Sequence, residues 1–248
     1  MADGEDIRQV IVPAADVREV PGDVSTRGKL ESQLVYGEAF KVDHETEGWF
    51  RGSCMHDKYT GYVHASHLSA KSISTTHVVT AARSLAYAGP TMKSLMLAEY
   101  SFGSKLRVVQ EGEKYSQLED GSWMYNKHLS PRASLDKDVV RTAMKFVETP
   151  YYWGGRSGFG IDCSGLVQVS LGRAGIYVAR DTDDQINTVG EAAEKPAPGM
   201  LVYFPGHVGL MVDDEYIIHA NAHHMKVTIE PLEEVAKRSG GITAVRKI

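Results

Sequence analysis

"GIDCSGLVQVSLGRAGI" (Gly160–Ile176) sets one of the chain's two cysteines at the point where an apolar-periodic helix begins. The helix is read as Cys163–Ala174, with Gly175 as its cap, because a left-handed residue after a helix is most easily a glycine. A thiol at a helix N-terminus faces unpaired backbone N–H groups and the positive end of the helix dipole, and both favour the thiolate. Gly160 and Gly165 flank it with small residues, giving a substrate backbone room to approach. The competing reading is a buried, inert cysteine that fills core space. The choice turns on whether the rest of the chain supplies a base.

Two downstream histidines are candidates. "FPGHVGLMV" (Phe204–Val212) places His207 at the head of a strand, after a Pro-Gly turn. "EYIIHANAHH" (Glu215–His224) places His219 near the end of the next strand, with "VDDE" as the turn between them. Neighbouring antiparallel strands bring two such rings together on one face, with the first against the helix start. A thiol, an imidazole base and a polar orienter make the constellation of a papain-like hydrolase, here with His219 in the orienting place. His223 and His224 read as solvated loop residues. Cys163, His207 and His219 would also suit zinc by ligand type, but no CxxC or HExxH spacing pre-forms a site, and no metal or cofactor is expected.

Around these motifs the chain reads as helices followed by antiparallel strands, an α+β domain over residues 136–248. "DKDVVRTAMKFVET" (Asp136–Thr149) carries apolar residues at i, i+3, i+4 spacing, with Asp136 as a cap and Pro150 as the stop. Strand-like runs follow from Met200 to the C-terminus.

Upstream, the sequence repeats itself. "YGEAFKV" (Tyr36–Val42) recurs as "FGSKLRV" (Phe102–Val108), and "GYVHASHLS" (Gly61–Ser69) recurs as "SWMYNKHLS" (Ser122–Ser130). Each copy is a set of short alternating runs broken by turn residues, which predicts small all-β modules near residues 10–70 and 76–131. The pattern resembles bacterial SH3-like (SH3b) modules, so two small barrels are expected ahead of the α+β domain. The first copy carries "HDKYTGYV", with Tyr59 on a loop. The second is shortened there to "EDGSWM". Taken alone, Tyr59 reads as one more half-buried loop aromatic.

The ordered motifs "PYYWGGRSGFGIDCSGLVQ" (Pro150–Gln168), "ARDTDDQ" (Ala179–Gln185), "PGMLVYFPGHVGLMV" (Pro198–Val212) and "YIIHA" (Tyr216–Ala220) resemble the NlpC/P60 family of cysteine peptidases. With SH3b modules in front, the resemblance is to the branch acting on γ-D-glutamyl bonds of murein peptides, the dipeptidyl-peptidase VI type. It implies a catalytic set of Cys163, His207 and His219, with Tyr151 stabilising the oxyanion. It further implies that Tyr59 and Asp162 hold a free L-Ala amine. The D-Glu carboxylate then falls to Ser164 and Thr182, beside Asp181. The expected substrate is L-Ala-γ-D-Glu-diamino acid. The alternatives are a hydrolase or amidase acting on intact wall, an acyltransferase, and a non-catalytic SH3b wall-binding protein.

Composition narrows the partners. Lys and Arg total 27 against 32 Asp and Glu, so there is no electrostatic case for nucleic acid or an anionic membrane. The acidic start "MADGEDIRQV" lacks the basic and apolar parts of a secretion signal, which leads to the expectation of a cytoplasmic protein. Cys54 and Cys163 fall in different domains, so no disulfide framework is expected. A monomer is expected.

Overall fold

A computed structural model describes residues 5–22 and 29–248. The chain divides into two compact units, Met1–Ser134 and Leu135–Ile248.

The first unit contains two β modules built alike. The first holds β1 (Asp6–Val10), β2 (Ala14–Arg18), β3 (Leu30–Val35), β4 (Ala39–Thr46), β5 (Trp49–Cys54), β6 (Thr60–His64) and β7 (Leu68–Ser69). The second holds β8 (His77–Val79), β9 (Arg83–Tyr87), β10 (Met96–Ser101), β11 (Lys105–Leu106), β12 (Val108–Gln110), β13 (Tyr115–Leu118), β14 (Trp123–Tyr125) and β15 (Leu129–Pro131). The pairings correspond one to one: β1 lies between β4 and β7 as β8 lies between β11 and β15, and β2 joins β3 to β6 as β9 joins β10 to β14. Each module buries its own alternating apolar set. Val10, Val17, Leu34, Phe40, Phe50, Cys54 and Val63 fill the first; Val79, Ala86, Tyr100, Leu106, Leu118 and Met124 fill the second.

Closed barrels were the expectation, and the described residues correct it. The first module is one open sheet in the order β3-β2-β6-β5-β4-β1-β7, and the second is split into a five-stranded and a three-stranded sheet. The ladder gives out where its members are shortest. β7 and β11 have two residues each, and the long β4 corresponds to β11 and β12, interrupted at Arg107. The first module also begins earlier than the sequence suggests, because β1 starts at Asp6.

The second unit is an α+β fold. Its antiparallel sheet runs β18 (Glu191–Ala192), β23 (Ala244–Lys247), β19 (Leu201–Phe204), β20 (His207–Met211), β21 (Tyr216–Asn221), β22 (Lys226–Pro231). Ahead of it come α1 (Val139–Met144), the short hairpin β16 (Arg156–Ser157) and β17 (Gly160–Ile161), α2 (Cys163–Arg173) and α3 (Thr182–Thr188). α4 (Leu232–Arg238) follows β22 and seats Val235 against Val202, Phe204, Met211 and Ile217. α1 is shorter than its periodicity predicts. Asp138, not Asp136, caps it through the Arg141 N–H, and after Met144 the chain tightens into three-residue turns that end with Glu148 at φ 68°. Gly175, at φ 86°, does end α2: the Ile176 N–H reaches back to the Leu171 carbonyl.

Candidate active site

The start of α2 is held by one carboxylate. Asp162 caps the helix, its Oδ1 accepting from the Gly165 N–H at 2.8 Å, while its Oδ2 accepts from the Gly154 N–H at 2.8 Å. Arg180 grips both oxygens, with Nη1 at 3.1 Å from Oδ1 and Nη2 at 2.6 Å from Oδ2, and also donates to the Ser164 hydroxyl at 2.8 Å. Both partners are almost wholly buried. Gly165 also serves this packing, since a Cβ there would stand 2.3 Å from the Gly155 carbonyl oxygen.

Cys163 is the first residue of α2 and is buried. Its sulfur receives the backbone N–H groups of Val208 and Ser164, with the Thr182 hydroxyl 3.9 Å away. These donors favour a thiolate, as the sequence suggested. They do not win. Burial pushes the thiol up to about 11, the nearby Asp162 charge adds to it, and the three donors offset only part.

The Val208 contact brings the start of β20, and with it the His207 backbone, to the end of α2 that carries Cys163. His207 and His219 meet side by side, Nε2 of the first 2.7 Å from Nδ1 of the second. Gly209 makes room, since a Cβ there would press on Ile217 and on the His219 Cβ at 3.1 Å. Beyond His219 stands Glu230, whose Oε1 lies 2.8 Å from the His219 Nε2. Arg238, the last residue of α4, binds both Glu230 oxygens at 2.6 and 2.7 Å, and His224 approaches Oε2 at 3.1 Å. His224 is an exposed residue of the turn, as its sequence context implied, and is also paired with Glu230. Burial, the His219 ring and the Arg238 charge lower His207 to about 3, against the raising effect of Glu230. Both directions favour a neutral thiol and a neutral imidazole over an ion pair.

That state has a measurable signature. Cys163 alkylation by iodoacetamide should quicken steadily as pH rises through and beyond neutrality, since the reactive thiolate forms toward pH 11. A thiolate–imidazolium pair would instead give a plateau already established below pH 6, which would overturn this assignment of charge.

Tyr151 precedes the loop that Asp162 ties down. Burial and the neighbouring Cys163 raise its phenol to about 12, so it keeps its proton and can donate. The other residues singled out in the sequence are placed as follows. Thr182 opens α3 with its hydroxyl toward the sulfur; Asp181 precedes it, exposed. Ser164 is buried, accepting from Arg180 and donating to Asp162 at 3.4 Å, so its hydroxyl is engaged within the protein. Tyr59 belongs to the first unit, packed against that module's core, and donates to Glu31 at 3.3 Å. Sequence reasoning missed Arg180, Glu230 and Arg238. Among the described residues no group of three His, Cys, Asp or Glu is arranged to hold a metal ion, and no helix is long and apolar enough to cross a membrane.

Residues 148–243, which hold this whole constellation, match the family model described as NlpC/P60, and residues 24–68 match the bacterial dipeptidyl-peptidase SH3 domain. The second unit is an NlpC/P60 cysteine peptidase. Over 117 residues this chain is 32% identical to dipeptidyl-peptidase 6 of Lysinibacillus sphaericus, covering 45% of this chain but 43% of that protein, less than half its length. Over 244 residues it is 26% identical to the gamma-D-glutamyl-L-lysine dipeptidyl-peptidase of Bacillus cereus, covering 84% of this chain and 72% of that protein. The crystal structure of an NlpC/P60 family protein from Bacillus cereus shares the fold, with a TM-score of 0.82 over 97% of this chain and 99% of that one at 20% identity. In this NlpC/P60 unit Cys163 opens a helix and His207 opens a strand. A thiol can be deprotonated as it attacks, without being stored as an ion pair.

Proposed function

We propose that the protein hydrolyses the γ-D-glutamyl-L-diamino acid bond of murein peptides that carry a free N-terminal L-Ala, as in intracellular recycling of wall peptides. The observation that carries the chemistry is the buried Cys163 at a helix N-terminus, its sulfur receiving the N–H of Val208, the residue that follows His207, while His207 is bonded to His219. The substrate class is supported by the dipeptidyl-peptidase names of the relatives, since a dipeptidyl-peptidase counts two residues from a free end.

In this reading His207 takes the thiol proton as Cys163 attacks the γ-carbonyl carbon of D-Glu. The negative oxygen that develops is met by the Cys163 N–H and the Tyr151 hydroxyl. The tetrahedral adduct collapses, the C–N bond breaks, and His207 gives its proton to the leaving amine. An imidazole that holds its proton weakly is a ready donor at this step. Water then attacks the thioester, its proton passing through His207 to the sulfur. Asp162, which the resemblance offers for the L-Ala ammonium, has both oxygens already held by Arg180 and by the Gly154 and Gly165 N–H groups, so an ammonium would have to share them. Thr182 is the better placed of the two hydroxyls for the D-Glu carboxylate, because Ser164 is engaged with Arg180.

The test is mass spectrometry of a panel of peptides incubated with the protein. L-Ala-γ-D-Glu-meso-diaminopimelate and its L-Lys analogue should release L-Ala-D-Glu. The N-acetylated peptides lose a charge-assisted hydrogen bond of roughly 1.5–3 kcal/mol and should be cut about ten- to a hundredfold more slowly. Equal turnover of blocked and free peptides, or efficient cleavage of insoluble murein, would favour a wall hydrolase instead.

A further inference from the structure

We propose that Glu230, clamped by Arg238, is a positioning residue that fixes the tautomers of both active-site histidines and keeps the lone pair of His207 on Nδ1. The inference rests on His207 being the base. It is carried by a chain of contacts: the Glu230 Oε1 lies 2.8 Å from the His219 Nε2, and the His219 Nδ1 lies 2.7 Å from the His207 Nε2.

Each link dictates the next. A carboxylate only accepts, so at 2.8 Å the His219 Nε2 must carry the hydrogen. The neutral His219 then has its lone pair on Nδ1. At 2.7 Å that lone pair requires an N–H from His207, which places the hydrogen on Nε2 of His207. The nitrogen left with a lone pair is Nδ1, the one His219 does not use. Two rings away from the sulfur, Glu230 thus decides which nitrogen can act as base.

The site also contains the group that would give the wrong answer. The Asn221 Nδ2, a pure donor, lies 3.3 Å from the same His219 Nε2. With Glu230 in place the shorter contact prevails, and the Asn221 amide is used by Thr228 at 2.8 Å. Without the carboxylate, Asn221 could donate to a bare Nε2. His219 would then carry its hydrogen on Nδ1, the His207 Nε2 would have to accept it, and the His207 Nδ1 would become a donor. The base would be present but turned off.

Arg238 keeps Glu230 able to do this. Burial alone would raise the Glu230 carboxyl, but hydrogen bonds from Arg238, His224 and His219 hold it well below the usual carboxylate range. Arg238 is fixed in turn by α4, which is anchored through Val235. The charges facing the two rings are Glu230 from β22, Arg238 from α4 and His224 from the turn between β21 and β22. Of these, Glu230 is the one that raises the affinity of both rings for a proton.

The experiment compares wild type with Glu230→Gln, Glu230→Leu and Arg238→Gln in the full chain. Long-range proton–nitrogen NMR of the imidazoles should show Nε2–H for His207 and His219 in wild type, and loss of that pattern in Glu230→Leu. A wrong tautomer costs a serine protease about ten-thousandfold in kcat, so a loss of at least about a hundredfold is expected for Glu230→Leu, with KM little changed. Glu230→Gln keeps an acceptor but not the charge. It should lose less, and the acid limb of its kcat/KM profile should move to lower pH, because the proton on His207 is then less stabilised. Should Glu230→Leu fail to fold, the Gln and Arg238→Gln variants carry the same readouts. Unchanged tautomers with kcat within about twofold of wild type would overturn the proposal. So would a fall in activity with tautomers and acid limb both unchanged, which would make Glu230 a structural tie for α4. Full activity in His207→Ala would instead remove the base assignment itself, and the NMR result would stand apart from it.

Discussion

Cys163→Ala is expected to be folded, to bind substrate and to turn over none of it. In a protease triad, removing the nucleophile costs on the order of a millionfold in kcat, and a thiol enzyme has no second group to take its place, so a loss of at least about ten-thousandfold is the expectation. Stability should fall by about 1–3 kcal/mol, because the buried Val208 loses the sulfur that accepts from its N–H. The informative control is the other cysteine. Cys54 is fully buried in the first β module, so Cys54→Ala should cost about 1–2 kcal/mol of packing there and leave kcat intact. The measurement is kcat on the diaminopimelate tripeptide, with acid-quenched mass spectrometry to catch an acyl-enzyme on wild type. An inactive Cys54 variant beside an active Cys163 variant would show that the nucleophile is misassigned.

The residues that meet here were legible to different degrees, for physical reasons. Cys163 and His207 each open an element that local sequence marks, a helix start and a strand after Pro-Gly, and His219 lies inside the strand that follows an acidic turn. Glu230 has no such mark. It sits in "KVTIEPLEE", where an acidic residue near a strand end looks like ordinary solvated surface. Its signal is one of register. β21 and β22 pair Ile217 with Glu230 and His219 with Thr228, so Glu230 is diagonal to His219 on one face of the sheet. That could be read only once the hairpin pairing was known. The thiol illustrates a different limit. A helix start correctly supplied donors to the sulfur, but the opposing cost of burial depends on what folds over it, and no local pattern carries that. The repeat predicted two like modules of short strands. It could not predict closure, which depends on strands only two residues long. The Tyr59 and Asp162 pairing suggested by resemblance joins residues of separate units, and within its own unit Asp162 has a second duty that the sequence did not announce.

That duty sets the largest stability effect expected in the peptidase unit. Arg180→Met should destabilise it by about 3–5 kcal/mol, because it leaves the buried Asp162 carboxylate without its cation. The two N–H donors from Gly154 and Gly165 remain, but they were already satisfied and cannot replace a bidentate guanidinium. Ser164 loses its donor as well. The place to measure this is hydrogen exchange of the α2 amides in the full chain, where such a loss lowers protection by about two to three and a half decades. The companion variant is Asp162→Asn with Arg180→Met. Removing the charge along with its partner should recover part of the stability, since the penalty comes from the uncompensated carboxylate and not from the missing arginine packing. An amide can still cap α2 through its oxygen, so the helix start survives in the double variant. Activity should follow the geometry. A shifted α2 start displaces the Cys163 sulfur from the Val208 and Ser164 N–H groups, and kcat should fall in the single variant by more than the unfolded fraction explains. A loss under about 1 kcal/mol for Arg180→Met would mean that water reaches Asp162 and stands in for the arginine. Asp162 would then be accessible from solution, and its carboxylate would be free to hold a substrate ammonium.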